Sequence, residues 1–246
     1  MKDNFSSQSD RYAKYRPHYP EEFYAYLNSL LPIKENAWDC GTGNGQVAFE
    51  LAKSFKSVFA TDISQSQLNN AQKAENISYS VQAAEKTDFQ KELFDLVVVA
   101  QAIHWFDFEK FYAEVNRTAR KNALICVLGY GRISISETVD SVITNFYKNV
   151  VGPYWDVERR YIDQHYETIP FPFHELSTPR FAIELQWNRS HLLGYLNTWS
   201  AVKHFTRKNG YNPVEELQEE IASLWKDTEK MQVQFPILLR IGRVHH

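Results

Sequence analysis

Two hydrophobic periods alternate along the chain, and the alternation predicts its layout. Residues 21–31 place Phe23, Tyr26, Leu27 and Leu30 at helical spacing, and Pro32 ends that helix. Residues 36–40 read as a short buried strand, 41–45 as a tight turn, and 46–55 as a helix with Val47, Leu51 and Phe55 on one face. A second strand follows at 57–61, and Ser64 with Gln67 forms a capping box for a helix running to residue 75. Further strands are predicted at 77–81 and at 94–100, the latter an apolar, β-branched run typical of a central parallel strand. Asp107 caps a helix whose apolar face is Phe108, Phe111, Tyr112 and Val115, and 123–128 reads as the next strand. Such alternation implies a parallel, doubly wound sheet. Ligands of such sheets bind beyond the carboxyl ends of the strands.

After Gly131 the rhythm breaks. Residues 136–150 look helical, and 152–179 are irregular and rich in proline, aromatics and charge. A strand is predicted at 181–187, then a helix capped by Ser190 and running to Phe205, then a helix opened by Pro213, then a final strand over 233–244. Two late strands after a long helical connection point to an antiparallel finish. The expected organisation is one domain over 1–246. Residues 1–35 would form an N-terminal lid, 36–130 the ligand-binding core, 131–180 an inserted cap, and 181–246 the elements that complete the sheet.

Composition narrows this little. The 246 residues carry a net charge of −3, so no global field attracts nucleic acid or anionic membranes. No apolar run approaches the ~18 residues that span a bilayer. Cys40 and Cys126 each sit beside apolar residues and read as buried free thiols, which favours a reducing, cytoplasmic compartment. The 15% share of aromatics fits a bulky core or the lining of a partly apolar pocket. His245-His246 is not read as a metal site, and no metal is expected.

Candidate chemistry centres on Asp39-Cys40-Gly41-Thr42-Gly43-Asn44-Gly45. Its glycines let a strand turn sharply into a helix and bring the backbone close to a ligand, while the helix start offers free N–H groups to an anion. Asp62 ends the second strand about 20 residues on, where an acidic residue accepts hydrogen bonds from ribose hydroxyls. Glu85, in Gln82-Ala83-Ala84-Glu85, follows the third strand and is either a partner for an adenine amino group or a surface carboxylate. The glycine spacing is Gly-x-Gly-x-Gly, without the third glycine that packs around a dinucleotide pyrophosphate.

Taken in order, these segments resemble the class I methyltransferases that use S-adenosyl-L-methionine, and among them the small-molecule enzymes related to trans-aconitate methyltransferase. The resemblance includes Tyr12 to Pro20, the glycine turn, Thr61-Asp62-Ile63-Ser64, Ala84-Glu85, Gln101-Ala102-Ile103-His104-Trp105-Phe106, Thr198 to Val202 and Phe235 to Val244. It implies a Rossmann-like α/β fold: a doubly wound, mostly parallel sheet of seven strands with the last antiparallel, plus helical caps. It implies that Asp39, Gly41, Thr42, Gly43 and Gly45 hold the methionine part of the cofactor. Asp62 would hold the ribose, Ile63, Ala84 and Glu85 the adenine, and Gln101 the region below the sulfonium, with Tyr12 and Arg16 closing over it. Methyl transfer from a sulfonium needs mainly proximity and orientation. His104 is the candidate base, if the acceptor needs one, and Trp105, Arg132 and Trp155 are candidate acceptor contacts. An arginine in the cap could clamp a substrate carboxylate, which makes O-methylation of a carboxylate one candidate reaction; the sequence does not specify the acceptor. The expected partner is a small-molecule methyl acceptor, with no nucleic acid and no membrane, and the chain is expected to be a monomer or weak homo-oligomer. A nucleotide-dependent oxidoreductase and a cofactor-binding module without turnover remain open at this point.

Overall fold

The apolar runs form five parallel strands: β1 (Asn36–Cys40), β2 (Ser57–Asp62), β3 (Ile77–Val81), β4 (Phe94–Ala100) and β5 (Ala119–Tyr130). They belong to a computed structural model that describes residues 15–245. The sheet order is β3-β2-β1-β4-β5. Successive side chains face opposite sides. Ala37, Leu96, Val98, Leu124 and Cys126 pack against α1 (Glu21–Ser29) and α2 (Gln46–Ala52). Trp38, Cys40, Val97, Val99 and Ile125 pack on the other face with Phe111, Tyr112 and Val115 of α4 (Phe108–Thr118). Burial on both faces is why these strands are continuously apolar rather than alternating. It also places the two free thiols on opposite sides of the sheet, both buried.

The antiparallel finish is β8 (Met231–Arg243), whose carboxyl half pairs with β5 from Leu124↔Arg243 to Tyr130↔Ile237. Its amino half continues past the end of β5 and pairs with β7 (Ala182–Trp187). The seven expected strands are present, and the two-residue β6 (His174–Glu175), too short to carry a periodic signal, makes an eighth beside β8. Around the projecting β7–β8 ribbon pack α5 (Glu137–Asn145), α7 (Arg189–Leu196), α8 (Ser200–Asn209) and α9 (Pro213–Leu224), through Val139, Ile143, Leu192, Val202, Ile221 and Phe235. This helical lobe therefore sits beyond the carboxyl ends of the central strands, where ligands of such sheets dock.

Three helix boundaries differ from the pattern. The helix expected to reach residue 75 stops as α3 (Gln65–Asn69), with the Ser64 side chain accepting from the Gln67 N–H as its cap. The chain then crosses back over the glycine turn, because Gln72 N–H bonds Asn44 O at 3.0 Å and the Tyr79 hydroxyl donates to Gln72 O. The helix expected through Phe205 is two helices. Asn188 caps α7 by accepting from His191 N–H, while Ser190 donates to Asp227. The break falls at Trp199, extended at ψ 134°, whose ring lies among Phe146, Tyr147, Trp155 and Tyr195. Packing that indole inward outweighs continuing the helix. The helix expected over 136–150 turns into a π-helix at Phe146–Val150, which brings Tyr147 into the same aromatic group. A short α6 (Arg159–Asp163) orders part of the segment read as irregular.

Candidate active site

The glycine turn links β1 to α2 in left-handed conformations, with φ of 70° at Gly41, 57° at Gly43 and 77° at Gly45. Gly41 and Thr42 N–H groups bond Thr61 O at 2.8 and 2.9 Å, so the turn is stapled to the end of β2. Two of the glycines also have no room for a side chain. A Cβ on Gly41 would lie 2.7 Å from Ala102 Cβ, and one on Gly45 would strike the Tyr79 hydroxyl. Asp62 braces the turn from below: Oδ2 accepts from Gly43 N–H and Oδ1 from Ser64 N–H, both at 2.9 Å.

Asp39 is 1% exposed. Its Oδ2 accepts from Thr42 Oγ1 at 2.5 Å, and Oδ1 has no hydrogen-bond partner. Burial pushes its carboxyl up to about 7, only partly opposed by the Thr42 hydrogen bond, and the Asp62 charge adds to the rise. A buried carboxylate with a bare oxygen is an unfilled request for a donor. Gln101, just past β4, holds φ 54°, unusual for a residue with a side chain, and its side chain reaches Tyr130 O at 3.4 Å.

These groups surround one cleft with about 900 Å³ of empty space, partly open to solvent. Of the residues singled out in the sequence, Arg16, Asp39, Gly41, Thr42, Gly43, Asp62, Ile63, Gln101 and Trp105 line it. Gly45 does not; it lies under the turn as the cap of α2. Ala84 is buried in the core, and Glu85 accepts from Asp107 N–H at 3.1 Å; neither lines the cleft. Tyr12 falls outside the described residues.

A second, smaller cavity of about 480 Å³ shares Arg16, Gln101 and Trp105 with the cleft and adds His104, Trp155, Asp156, Arg159 and Trp199. His104 is 6% exposed, and burial, then the Arg159 and Arg16 charges, lower its pKa to about 3. The Arg159 guanidinium stacks over Trp155 at 4.6 Å and donates through Nε to Tyr147 Oη at 2.9 Å. Its one carboxylate neighbour among the described residues is Asp163 at 3.9 Å, and its terminal nitrogens make no hydrogen bond there. Arg132 is exposed, 5.5 Å from the Tyr147 ring, and lines two outer cavities instead of this one.

A family model described as a methyltransferase domain matches residues 38–127, the span from β1 to β5 that carries the glycine turn and Asp62. A Dictyostelium discoideum protein described as a methyltransferase is 32% identical over 249 residues, covering 98% of this chain and 95% of that protein. The chain is a class I S-adenosylmethionine-dependent methyltransferase. Consistent with this, the methyltransferase aligns with a solved structure from Anaeromyxobacter dehalogenans, described as a type II methyltransferase, at a TM-score of 0.86 and 35% identity, covering 94% of this chain and 98% of that one. A Schizosaccharomyces pombe methyltransferase is 23% identical, covering 95% of this chain and 93% of its own.

The cleft fits the cofactor of this family. Asp39 Oδ1 offers a buried acceptor suited to an ammonium, and the Gly43 side of the turn is open space. The oxidoreductase reading is displaced by the family assignment. Among the described residues no helix is long and apolar enough to cross a membrane. Tyr130 and Trp199 are among the lining residues that the sequence reading did not single out. Tyr130 ends β5 and was findable by the rule that ligands bind beyond the carboxyl ends of parallel strands. Trp199 was hidden inside what reads as one helix.

Proposed function

We propose that this methyltransferase transfers a methyl group to a small anionic molecule, a carboxylate oxygen being the acceptor, in the cavity that joins the cleft at Gln101 and Trp105. The carrying observation is the pair of guanidinium groups, Arg16 and Arg159, on that cavity, with the Arg159 terminal nitrogens making no hydrogen bond to another described residue. Planar guanidinium groups suit carboxylates, and Arg159 is held in place by Trp155 and Tyr147 before any ligand arrives. In this reading Asp39 and the glycine turn hold the amino-acid end of S-adenosylmethionine, Asp62 the ribose and Ile63 the adenine face. Ala84 and Glu85 are assigned to the adenine by the resemblance alone. When bound, the cofactor supplies a methyl group already activated on a sulfonium. The chain's own contribution is to orient the acceptor oxygen with Arg16, Arg159 and Trp155 and to keep water out of a site walled by Trp105 and Trp199. A carboxylate is ionised at neutral pH and needs no base, which agrees with a His104 ring whose pKa burial and the Arg159 and Arg16 charges lower to about 3, so that it is neutral at neutral pH. The resemblance to trans-aconitate methyltransferase and the small cavity favour a metabolite over nucleic acid. Buried free thiols favour the cytoplasm, and monomer or weak homo-oligomer is the proposed state.

A panel of mono-, di- and tricarboxylic acids with methyl-labelled cofactor tests the reading. Methyl esters should form. Labelling only of amines or neutral hydroxyls would refute it. Arg159→Ala should raise the acceptor KM about 30-fold, the loss of one charge-assisted contact of about 2 kcal/mol, with cofactor affinity unchanged by calorimetry.

Asp39 makes cofactor affinity pH-dependent. Its folded carboxyl, at about 7, lies above its unfolded value. In the ligand-free protein its contribution to stability is therefore greatest in acid and declines as pH rises from about 4 to 7. An ammonium beside it favours the ionised form, so binding releases a proton below pH 7. Calorimetric affinity for S-adenosylhomocysteine should rise between pH 5.5 and 7 by up to about tenfold per unit, then level off. Asp39→Asn should flatten the profile.

A further inference from the structure

Tyr166 is a fully buried tyrosine on a backbone that resists its placement. It and His165, in the turn after α6, hold left-handed φ values of 63° and 53°. For residues with a Cβ this conformation is strained, so surrounding structure must impose it. It does so with three contacts. Tyr166 N–H bonds Tyr161 O at 2.7 Å, and Arg240 Nη1 donates to Tyr166 O at 3.2 Å and to Ile169 O at 2.6 Å. The enforced turn sends the phenol under the sheet end. There it rests on Gly129 of β5, where a Cβ would stand 2.8 Å from Tyr166 Oη. From that seat Oη lies 3.3 Å from His104 Nδ1, with the two rings 29° from parallel.

We propose that Tyr166 is a positioning residue that donates its hydroxyl proton to His104 Nδ1, locks the imidazole as its Nε2–H tautomer, and so turns His104 into a hydrogen-bond donor toward the acceptor cavity. A phenol O–H is a good donor and its ring-conjugated oxygen a poor acceptor, whereas an unprotonated imidazole nitrogen is a strong neutral acceptor. That ranks O–H···Nδ1 above the reverse arrangement. With Nδ1 turned to Tyr166, Nε2 is the nitrogen left for the cavity that the ring lines. Among the described residues, the titratable and charged groups on that cavity besides His104 are Arg16, Arg159 and Asp156. Burial and the two guanidinium charges keep the imidazole neutral. Three donors would then converge on one small space that also carries the Asp156 carboxylate, a pattern complementary to an acceptor with an anionic oxygen. The role toward the acceptor rests on the reading of that cavity given above. The Tyr166–His104 pairing does not.

The test therefore needs no acceptor. Protein labelled with ¹⁵N-histidine and saturated with S-adenosylhomocysteine is examined by two-bond ¹H–¹⁵N correlation, with His104 assigned among the 8 histidines by His104→Gln. The expected result is a protonated Nε2 and a bare Nδ1, unchanged from pH 5 to 8. Tyr166→Phe keeps the ring and removes the hydroxyl, and should draw the two nitrogen shifts toward each other as both tautomers populate. Should that variant fail to fold, Gly129→Ala displaces the phenol while keeping its hydroxyl and should produce the same convergence. A proton on Nδ1 in the parent protein, a His104 titration within that pH range, or unaltered shifts in the folded variant would overturn the proposal. A positive tautomer result combined with no carboxylate methylation would leave the pairing intact and refute the acceptor reading alone.

Discussion

Asp62→Ala lowers affinity for S-adenosylhomocysteine by about 100-fold, the loss of roughly 2.7 kcal/mol of charge-assisted hydrogen bonding. Two effects combine. The carboxylate that would receive the ribose hydroxyls is gone. The same carboxylate accepts from Gly43 and Ser64 N–H groups at 2.9 Å each, so its removal also frees the turn that shapes the cleft. Isothermal titration of the parent and variant decides this, with thermal unfolding as the control. Asp62→Asn is the informative companion. An amide retains an acceptor oxygen but loses the charge, so it should fall between parent and alanine. Equal affinity for Asp62→Ala and parent would place the ribose elsewhere.

Gly45→Ala destabilises the fold by about 2–5 kcal/mol, summing a left-handed φ penalty and overpacking against a buried neighbour. At φ 77° the added Cβ would run into the Tyr79 hydroxyl, which is held by Gln72 O, and would also press on Ala71 Cβ at 3.3 Å. For a chain of this size the melting temperature should drop by roughly 5–15 °C, read by calorimetry. Gly43→Ala is the control. Its φ is similar at 57°, but nothing lies within 4 Å of the added atom. It should lose only about 1 kcal/mol of stability. Its cost should fall on cofactor binding, since the methyl group would project into the cleft. Matching stability losses for the two variants would show that φ strain, and not the Tyr79 contact, governs the turn.

The cofactor half of this protein was legible along the chain. Strands buried on both faces read as continuous apolar runs, and residues 36–40, 57–61, 77–81 and 94–100 appear in the structure within one residue of their expected limits. Asp62 was selected because it ends a strand, and parallel strands present their carboxyl ends to one side; Asp39 and Gln101 were implied by the resemblance to the family. Those are consequences of local geometry, so local sequence carries them. β5 is twelve residues long because Ala119 pairs with Phe94 ahead of a register shift, and the polar Arg120, Lys121 and Asn122 that precede the pairing at Leu124 mask a strand pattern. The acceptor half was legible only in part: His104, Trp105 and Trp155 were named as candidates and line the second cavity, whereas Arg132 does not. Arg16, His104, Trp155, Arg159 and Trp199 meet only because the helical lobe folds over the sheet end around the projecting β7–β8 ribbon. Periodicity states which face of an element is buried, not which distant element buries it. The glycine turn with Asp39 and Asp62 was thus determined by the sequence alone, while Glu85, expected beside it, lies off the cleft. The union of Arg159 with Arg16, and of Tyr166 with His104, was decided by tertiary packing, because each pair is far apart in the chain and neither member carries a local signal of the other.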